Sequence, residues 1–225
     1  MIKAVFIDID DTLLDFGKCA EETIRQGFLK YSLPFTQSVI PTFHRINDSL
    51  WAKIEAGTLT RPELLKIRWK LVFEALAIDF DGLIFEDYFV SSIYNCYITV
   101  DGARELLEYL SKKYKVYAAS NALHQQQLAR LRSSGLMQYL SGVYTSESVG
   151  YQKPTKEFFT ACFDDIKEFT PKEAVMIGDS ITADIIGGKA MEMKTIFYNH
   201  KKISDFDKTI PDFIVNHLSE IQNIL

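Results

Sequence analysis

The sequence has little that would place the protein on a membrane or on nucleic acid. Its formal net charge is −5, so no excess of basic residues would attract nucleic acid polymers or anionic lipids. No apolar run approaches the roughly 20 residues of a membrane-spanning helix, and the N-terminus lacks the layout of a signal peptide. These absences predict a cytoplasmic protein with no nucleic acid polymer and no membrane as partner. They leave monomer and homodimer both open.

Cysteine and histidine are also scarce. The three cysteines, Cys19, Cys96 and Cys162, lie far apart and form no C-x-x-C pair. This spacing argues against a zinc site and predicts reduced thiols. The four histidines show no metal-ligand spacing, and no motif suggests a Ser-His-Asp arrangement. Candidate chemistry therefore has to be sought among other side chains.

What the chain does have is enough apolar sequence for a sizeable core. Apolar residues make up 47% of the 225 residues, which fits one large domain or two modest ones. Residues 16–96 show helical periodicity and no convincing strand. A capping box is expected at Thr60-Arg61-Pro62-Glu63, and Gly57 is expected to end a helix. From Thr99 onward, apolar runs typical of strands alternate with amphipathic helices. This alternation predicts an α/β fold, with a parallel sheet covered by helices on both faces and a helical insert after the first strand.

The first strand, Ala4–Ile7, leads directly into acidic residues. Four apolar residues without a charge are typical of a strand buried on both faces. Because a buried sheet does not tolerate unpaired carboxylates, Asp8, Asp10 and Asp11 should lie at or beyond the end of this strand. Asp8 and Asp10 point to the same side, where they repel each other unless a cation intervenes. Mg²⁺, which prefers oxygen ligands, is the expected cation.

Three further polar motifs lie at or after the carboxyl ends of predicted strands. They are Ser120-Asn121, Lys153-Pro154, and Gly178-Asp179-Ser180 followed by Asp184. Read alone, these motifs also fit a turn, a solvated lysine and a helix N-cap. Open α/β sheets, however, bind ligands at the carboxyl ends of their strands. The sequence therefore predicts that the four motifs meet at one edge of the sheet.

In content and order, the four motifs resemble those of the haloacid dehalogenase-like (HAD) phosphohydrolases. Asp8-x-Asp10-x-Thr12 is similar to that family's nucleophile motif, and the other three are similar to its phosphate clamp, lysine and metal motifs. The resemblance covers the whole chain. It implies a Rossmann-like catalytic core formed by residues 1–15 and 97–225. It also implies that residues 16–96 are a helical cap domain of the kind that closes over the active site.

The resemblance implies a role for each motif residue. Asp8 would attack phosphorus, Asp10 would act as general acid and base, and Lys153 would neutralise the nucleophile and the phosphoryl group. The ligands of Mg²⁺ would be Asp8, the backbone carbonyl of Asp10, and Asp179. The phosphate would be bound by Ser120, Asn121 and Lys153, with Thr12 and Asp184 in supporting positions. Because the dehalogenases of the family lack the acid at the position of Asp10, halide chemistry is not expected.

Within the family, the residues Leu50-Trp51, Gly57, Leu64 and Arg68 resemble the branch of pyrimidine 5′-nucleotidases. The function implied is Mg²⁺-dependent hydrolysis of a small phosphorylated metabolite, a pyrimidine nucleoside 5′-monophosphate, with Trp51 and Arg68 as candidate substrate contacts. A phosphoglycolate or sugar-phosphate phosphatase on the same core is the alternative, and a phosphomutase is a more distant one. A second class, a non-catalytic protein that binds phosphorylated ligands, also stays open.

Overall fold

The computed structural model describes all residues, Met1–Leu225, and they form two compact units. The core unit comprises Met1–Phe16 and Tyr97–Leu225, and the helical unit comprises Gly17–Cys96. No helix in either unit is both long enough and apolar enough to cross a membrane.

The core unit is built on a six-stranded, wholly parallel sheet in the order β3-β2-β1-β4-β5-β6. The strands are β1 (Ala4–Ile7), β2 (Lys115–Ser120), β3 (Gly142–Thr145), β4 (Ala174–Gly178), β5 (Lys194–Tyr198) and β6 (Phe213–Val215). The first strand is therefore central, since β1 pairs with β2 on one side and with β4 on the other. The predicted α/β class with a parallel sheet is confirmed.

Helices cover both faces of this sheet. They are α5 (Ala103–Ser111), α6 (His124–Ser133), α7 (Ser146–Val149), α8 (Lys156–Ile166) and α9 (Gly187–Ala190), with a π-helix over Ile181–Ile186 and 3₁₀ turns at Met137–Tyr139, Pro171–Glu173 and Leu218–Asn223. Side chains of a strand alternate between faces, so β1 contributes to two apolar clusters. Val5 and Ile7 pack with Leu106 and Leu110, whereas Phe6 packs with Phe158 on the other face.

The helical unit contains the remaining helices and no strand. They are α1 (Phe16–Lys30), α2 (Val39–Glu55), α3 (Arg61–Leu76) and α4 (Gly82–Ile93). The predicted capping box is present, since the Thr60 side chain accepts from the backbone of Glu63 and the Glu63 carboxylate accepts from the backbone of Thr60. Gly57 follows the C-cap of α2 with φ +71°, a conformation that favours glycine.

Aromatic rings form the core of the helical unit. Trp69 is 1% exposed and lies against four rings, with centroid separations of 4.2 to 5.5 Å. Those rings belong to Phe43, Phe73, Phe85 and Phe89. Offset and tilted ring contacts of this kind stabilise a core beyond simple burial of area. Most of the aromatic residues in the insert therefore serve packing.

A buried ion pair lies beside these rings. The guanidinium of Arg68 donates to both carboxylate oxygens of Glu86 and, through Nη1, to Asn47 Oδ1 at 3.0 Å. Arg68 is 4% exposed and Glu86 is 3% exposed. Burial raises the pKa of the Glu86 carboxyl, and the charge of Arg68 works against that rise. The three polar side chains thus satisfy one another inside the helical unit.

The expectation of three reduced thiols is wrong for two of them. Cys19, near the start of α1, and Cys96, just after α4, form a disulfide with Cα atoms 5.5 Å apart. They are 77 residues apart in the sequence, and only the folding of the four helices brings them within disulfide reach. Cys162 is the free, buried cysteine, and burial raises the pKa of its thiol to about 12.

Two segments next to the predicted motifs have irregular helical structure. After β4 the chain forms the π-helix Ile181–Ile186, followed by the short α9. Such π turns are rare and occur often at functional sites. The segment Thr145–Pro154, predicted as a loop, contains the helical turn α7, whose N-cap Thr145 accepts a hydrogen bond from Ser148.

Candidate active site

The polar motifs gather where three neighbouring strands end. Asp8 follows β1, Ser120 is the last residue of β2, and Asp179 follows β4. Because β1 lies between β2 and β4, these ends are adjacent at the carboxyl edge of the sheet. The backbone N–H of Asp8 also donates to the carbonyl of Ile177 at 2.9 Å, which ties the end of β1 to β4.

Lys153 lies at the centre of this edge and is 2% exposed. Its Nζ donates to Asp8 Oδ1 and to Asp184 Oδ1, both at 2.6 Å, and to the carbonyl oxygen of Ala119 at 2.7 Å. Burial disfavours the ammonium charge, but the carboxylates of Asp184 and Asp8 outweigh it and raise the pKa of Lys153. Lys153 therefore remains a cation between two carboxylates.

Asn121 holds the loop that carries this lysine. Its side-chain amide donates to the carbonyl of Lys153 at 2.8 Å and accepts from the backbone N–H of Lys153 at the same distance. Both hydrogen-bonding functions of the amide are thus used on one residue of the Lys153 loop. Asn121 positions the ammonium group, while Ser120, 2% exposed, presents its hydroxyl at the end of β2.

Three acidic residues, Asp8, Asp179 and Asp184, cluster at this edge with different protonation tendencies. Burial raises the pKa of Asp8 well above its ordinary value, against the lowering effect of Lys153. Burial likewise raises the pKa of Asp184. Asp179 is also buried, but the nearby His200, whose Nε2 is 3.6 Å from Asp179 Oδ2, and the charge of Lys201 lower its pKa below the ordinary value. Asp179 is therefore the acid held most firmly as a carboxylate.

Gly178 allows Asp184 to reach this cluster. A Cβ atom on Gly178 would lie 2.1 Å from Asp184 Oδ2, closer than real contacts allow. That same oxygen accepts from the backbone N–H of Ser180 at 3.1 Å. Because Gly178 has no side chain, the carboxylate of Asp184 can pack against the backbone at this point. In that position Asp184 accepts the hydrogen bond from Lys153.

The arrangement of acids fits a divalent cation. Carboxylate oxygens of Asp8, Asp179 and Asp184 lie within 4.8 Å of one another. Asp179 also groups with Asp11 and His200, and Lys201 donates to Asp11 at 2.8 Å. Oxygen donors of this kind suit Mg²⁺. The donor atoms needed for such a metal are therefore present at the strand ends.

Asp10 is held by helix α6. Its Oδ1 accepts from Arg130 Nη1 at 2.6 Å, and its Oδ2 accepts from Gln127 Nε2 at 2.5 Å. The same Gln127 nitrogen is 3.0 Å from Ser120 Oγ, and Arg130 Nη1 also donates to Gln127 Oε1 at 3.1 Å. Asp10, Gln127, Arg130 and Ser120 thus form one network within the core unit.

The other predicted site residues lie as follows. Thr12 is fully buried behind the acidic loop, and its backbone N–H donates to the carbonyl of Ile9 at 3.4 Å. In the helical unit, Trp51 on α2 is half-buried, and Arg68 on α3 is paired with Glu86.

Sequence reasoning missed Gln127, Arg130, His200 and Lys201. One signal was available for the first two, since they stand three residues apart on one face of the helix that follows the predicted phosphate clamp. No comparable signal exists for His200 and Lys201, which follow β5 in an irregular segment.

The fold and this strand-end site define a hydrolase of the HAD type. A family model described as haloacid dehalogenase-like hydrolase matches residues 2–192, and the chain belongs to this family. Among its relatives, the HAD-hydrolase YfnB of Bacillus subtilis strain 168 is 30% identical, with 99% of this chain and 95% of that protein aligned. A magnesium-bound crystal structure of YfnB superposes with a TM-score of 0.94 at 30% identity, covering 100% of this chain and 98% of that one.

Two other relatives carry names that describe an activity. The pyrimidine 5′-nucleotidase PynA of Streptococcus pneumoniae R6 is 30% identical over 99% of this chain and 94% of its own length. A glyceraldehyde 3-phosphate phosphatase of Pyrococcus furiosus is 24% identical over 100% of this chain and 93% of its own length. Phosphatases that act on small phosphorylated molecules are therefore found among the relatives of this chain.

Proposed function

We propose that this protein is a cytoplasmic, Mg²⁺-dependent phosphatase that hydrolyses pyrimidine nucleoside 5′-monophosphates through an aspartyl-phosphate intermediate. The observation that carries the proposal is the position of the Lys153 ammonium, 2.6 Å from Asp8 and 2.6 Å from Asp184 at the carboxyl edge of the sheet. A buried cation between carboxylates can also neutralise a phosphoryl group that arrives beside them. The relationship to PynA supports the choice of substrate class.

In the first step, an Asp8 carboxylate oxygen attacks phosphorus as the bond from phosphorus to the leaving oxygen breaks. Asp10 gives its proton to that leaving oxygen, so the nucleoside departs as a neutral alcohol. Lys153 offsets the charge on the equatorial phosphoryl oxygens, and the Ser120 hydroxyl donates to one of them. The products of this step are the nucleoside and Asp8 esterified with phosphate.

In the second step, water attacks the phosphorus of the aspartyl-phosphate. Asp10, now ionised, takes the proton from this water and returns to its acid form. The bond between phosphorus and the Asp8 oxygen breaks, which releases inorganic phosphate and restores the carboxylate. Both steps use the same two carboxylates, so loss of Asp8 removes the nucleophile and loss of Asp10 slows proton transfer in each step.

Asp8 and Asp179, with Asp184 nearby, would hold the metal ion. The metal supplies positive charge that offsets repulsion between the Asp8 carboxylate and the substrate phosphate. Asp179 is suited to this role because His200 and Lys201 lower its pKa, so it stays ionised. Lys153 is already committed to Asp8 and Asp184 and, alone, provides one positive charge for several negative ones.

The first expected result concerns the metal. EDTA should abolish phosphatase activity and Mg²⁺ should restore it, because the clustered carboxylates alone would repel a phosphate dianion. Asp179→Ala should raise the Mg²⁺ concentration needed for half-maximal activity before it changes the affinity for substrate. Asp164→Ala, at an exposed position of α8, is the matched control. A phosphatase activity that survives exhaustive chelation would contradict the assigned site.

We assign the choice of leaving group to the helical unit. A nucleoside base needs a flat apolar surface on which to stack, together with a few polar contacts. Six aromatic residues of the unit are buried in its core, but Trp51 is only half-buried and is the tryptophan without a ring partner there. Trp51 is therefore the candidate for stacking, and Arg68, which pairs with Glu86, is the less accessible of the two residues proposed.

The second expected result concerns specificity. Among dUMP, dTMP, UMP, AMP, phosphoglycolate and hexose phosphates, a pyrimidine nucleotide should show the highest kcat/KM. Trp51→Leu should lower kcat/KM for that nucleotide by about tenfold, since stacking of one base contributes about 1–3 kcal/mol. Trp51→Phe should retain most of it, and p-nitrophenyl phosphate serves as a substrate without a base. If a sugar phosphate or phosphoglycolate wins by about tenfold, which corresponds to about 1.4 kcal/mol, the nucleotidase assignment fails and the phosphatase assignment stands.

The alternative is a sugar-phosphate or phosphoglycolate phosphatase, and the relationship to a glyceraldehyde 3-phosphate phosphatase favours it. The substrate panel separates these two enzymes directly. A non-catalytic phospho-ligand-binding protein has no need of an acid beside the nucleophile, and here Asp10 is held in place by two side chains. Release of phosphate from p-nitrophenyl phosphate separates an enzyme from a binding protein.

A further inference from the structure

We propose that Arg130 and Gln127 are positioning residues that hold Asp10 in the orientation needed for proton transfer to the leaving group. This inference rests on the proposed phosphatase function and concerns its acid–base step. Neither residue is expected to touch the phosphoryl group. Both would act through the carboxylate of Asp10.

The contacts to Asp10 are complete and specific. Each of its two carboxylate oxygens accepts one hydrogen bond, Oδ1 from Arg130 at 2.6 Å and Oδ2 from Gln127 at 2.5 Å. Two anchored oxygens determine the plane of the carboxylate as well as its direction. An ionised carboxylate offers about four acceptor sites, so each oxygen retains a lone pair for a proton in transit.

The two anchoring side chains are buried and shielded from water. Gln127 is fully buried and Arg130 is 1% exposed, whereas the side chain of Asp10 is 31% exposed. Hydrogen bonds from buried groups in a low-dielectric setting are stronger than those on a surface. The exposed part of Asp10 is thus free to meet a leaving group, while its orientation is determined from the buried side.

Gln127 connects the acid–base group to the phosphate-binding hydroxyl. Its Nε2 lies 2.5 Å from Asp10 Oδ2 and 3.0 Å from Ser120 Oγ. The amide of Gln127 therefore sets the distance between the Asp10 carboxylate, which would protonate the leaving oxygen, and the Ser120 hydroxyl, which would bind the phosphoryl group. Because general acid catalysis requires hydrogen-bond reach of about 2.6–3.2 Å, this spacing governs whether the proton can be delivered.

The test compares two leaving groups. The p-nitrophenolate ion departs without a proton, whereas the alkoxide of a nucleotide or sugar phosphate requires one. The comparison uses kcat/KM, which reports the steps up to release of the leaving group and excludes hydrolysis of the shared aspartyl-phosphate. Arg130→Met should therefore lower kcat/KM for the best alkyl phosphate by about 10²-fold, the cost of misplacing a catalytic group by roughly 1 Å. The fall in kcat/KM for p-nitrophenyl phosphate should be less than about tenfold. Arg130→Lys, which keeps the charge, should recover part of the alkyl-phosphate activity.

A double-substitution cycle with Asp10→Asn identifies the route of the effect. If Arg130 acts only through Asp10, adding Arg130→Met to Asp10→Asn should cause no further loss. Arg132→Met, an exposed arginine on the same helix, is the control and should leave both substrates unaffected. Circular dichroism and the thermal midpoint verify folding, and Arg130→Lys carries the comparison if Arg130→Met does not fold.

Two results would overturn the inference alone: equal loss on both substrates, or losses that multiply in the doubly substituted enzyme. Either would mean that Arg130 supports the fold or the phosphate site in general. A wild-type protein without Mg²⁺-dependent phosphatase activity would overturn the proposed function and this inference together. The wild-type assay therefore distinguishes the two failures.

Discussion

Asp8→Asn is expected to reduce turnover by about 10⁴-fold or more while leaving the fold intact. An amide oxygen is too weak a nucleophile to attack phosphorus, so the covalent step is lost. The fold should tolerate the change because asparagine has nearly the shape of aspartate, and its amide oxygen can still accept the hydrogen bond from Lys153. Lys153 would keep its ion pair with Asp184 and its hydrogen bond to the carbonyl of Ala119.

The measurement is steady-state turnover combined with mass spectrometry of acid-quenched enzyme. Wild-type protein mixed with substrate should carry one phosphoryl group on the peptide that contains Asp8, and the variant should carry none. Asp164→Asn, an exposed aspartate of α8, should behave as wild type. More than trace activity in Asp8→Asn, once deamidation is excluded from the mass of the intact protein, would rule out the covalent mechanism.

The largest expected effect on stability comes from the ion pair inside the helical unit. Arg68→Met should lower the free energy of unfolding by about 3–5 kcal/mol, because Glu86 would be left as a buried carboxyl without its cation. Burial raises the pKa of Glu86 and Arg68 lowers it, so removing Arg68 should raise that pKa further. The Oδ1 atom of Asn47 would also lose the hydrogen bond that it accepts from Arg68.

Denaturant unfolding at several wavelengths provides the measurement. The double substitution Arg68→Met with Glu86→Met should regain most of the lost stability, since apolar residues of similar volume can replace a buried pair at little cost. Arg45→Met, exposed on α2, should stay within about 0.5 kcal/mol of wild type. A double variant that is folded but has a greatly increased KM for the nucleotide would instead favour a substrate contact by Arg68.

The sheet could be predicted because its signals are local. Apolar runs bounded by glycine, proline and acidic residues predict β1, β2, β4 and β5 to within two residues at each end. The positions of Asp8, Ser120 and Asp179 at strand ends follow from the same runs. That these three residues meet at one edge of the sheet could be predicted because parallel strands have their carboxyl ends at the same edge.

The parts that could not be predicted depend on contacts between distant segments. Gln127 and Arg130 occupy a polar helix face that looks solvated in the sequence, and only the path of the loop after β1 places Asp10 against them. The pairing of Cys19 with Cys96 could not be predicted either, because the two cysteines are 77 residues apart in the sequence and meet only in the folded helical unit. Arg68 was proposed as a substrate contact from resemblance, and its partners Asn47 and Glu86 come from other helices.

The strand order of the core unit determines the order in which the chain can be assembled during synthesis. β1 is made before both of its partners, which begin only at Lys115 and Ala174, yet it is central in the sheet. The helices of residues 16–93 are complete well before either partner emerges, and domains generally fold as units as they are made. A nascent chain thus carries a formed helical unit behind an unpaired apolar strand, the kind of segment that is prone to aggregate. The central strand of the finished sheet is therefore the one that waits longest for its partners during synthesis.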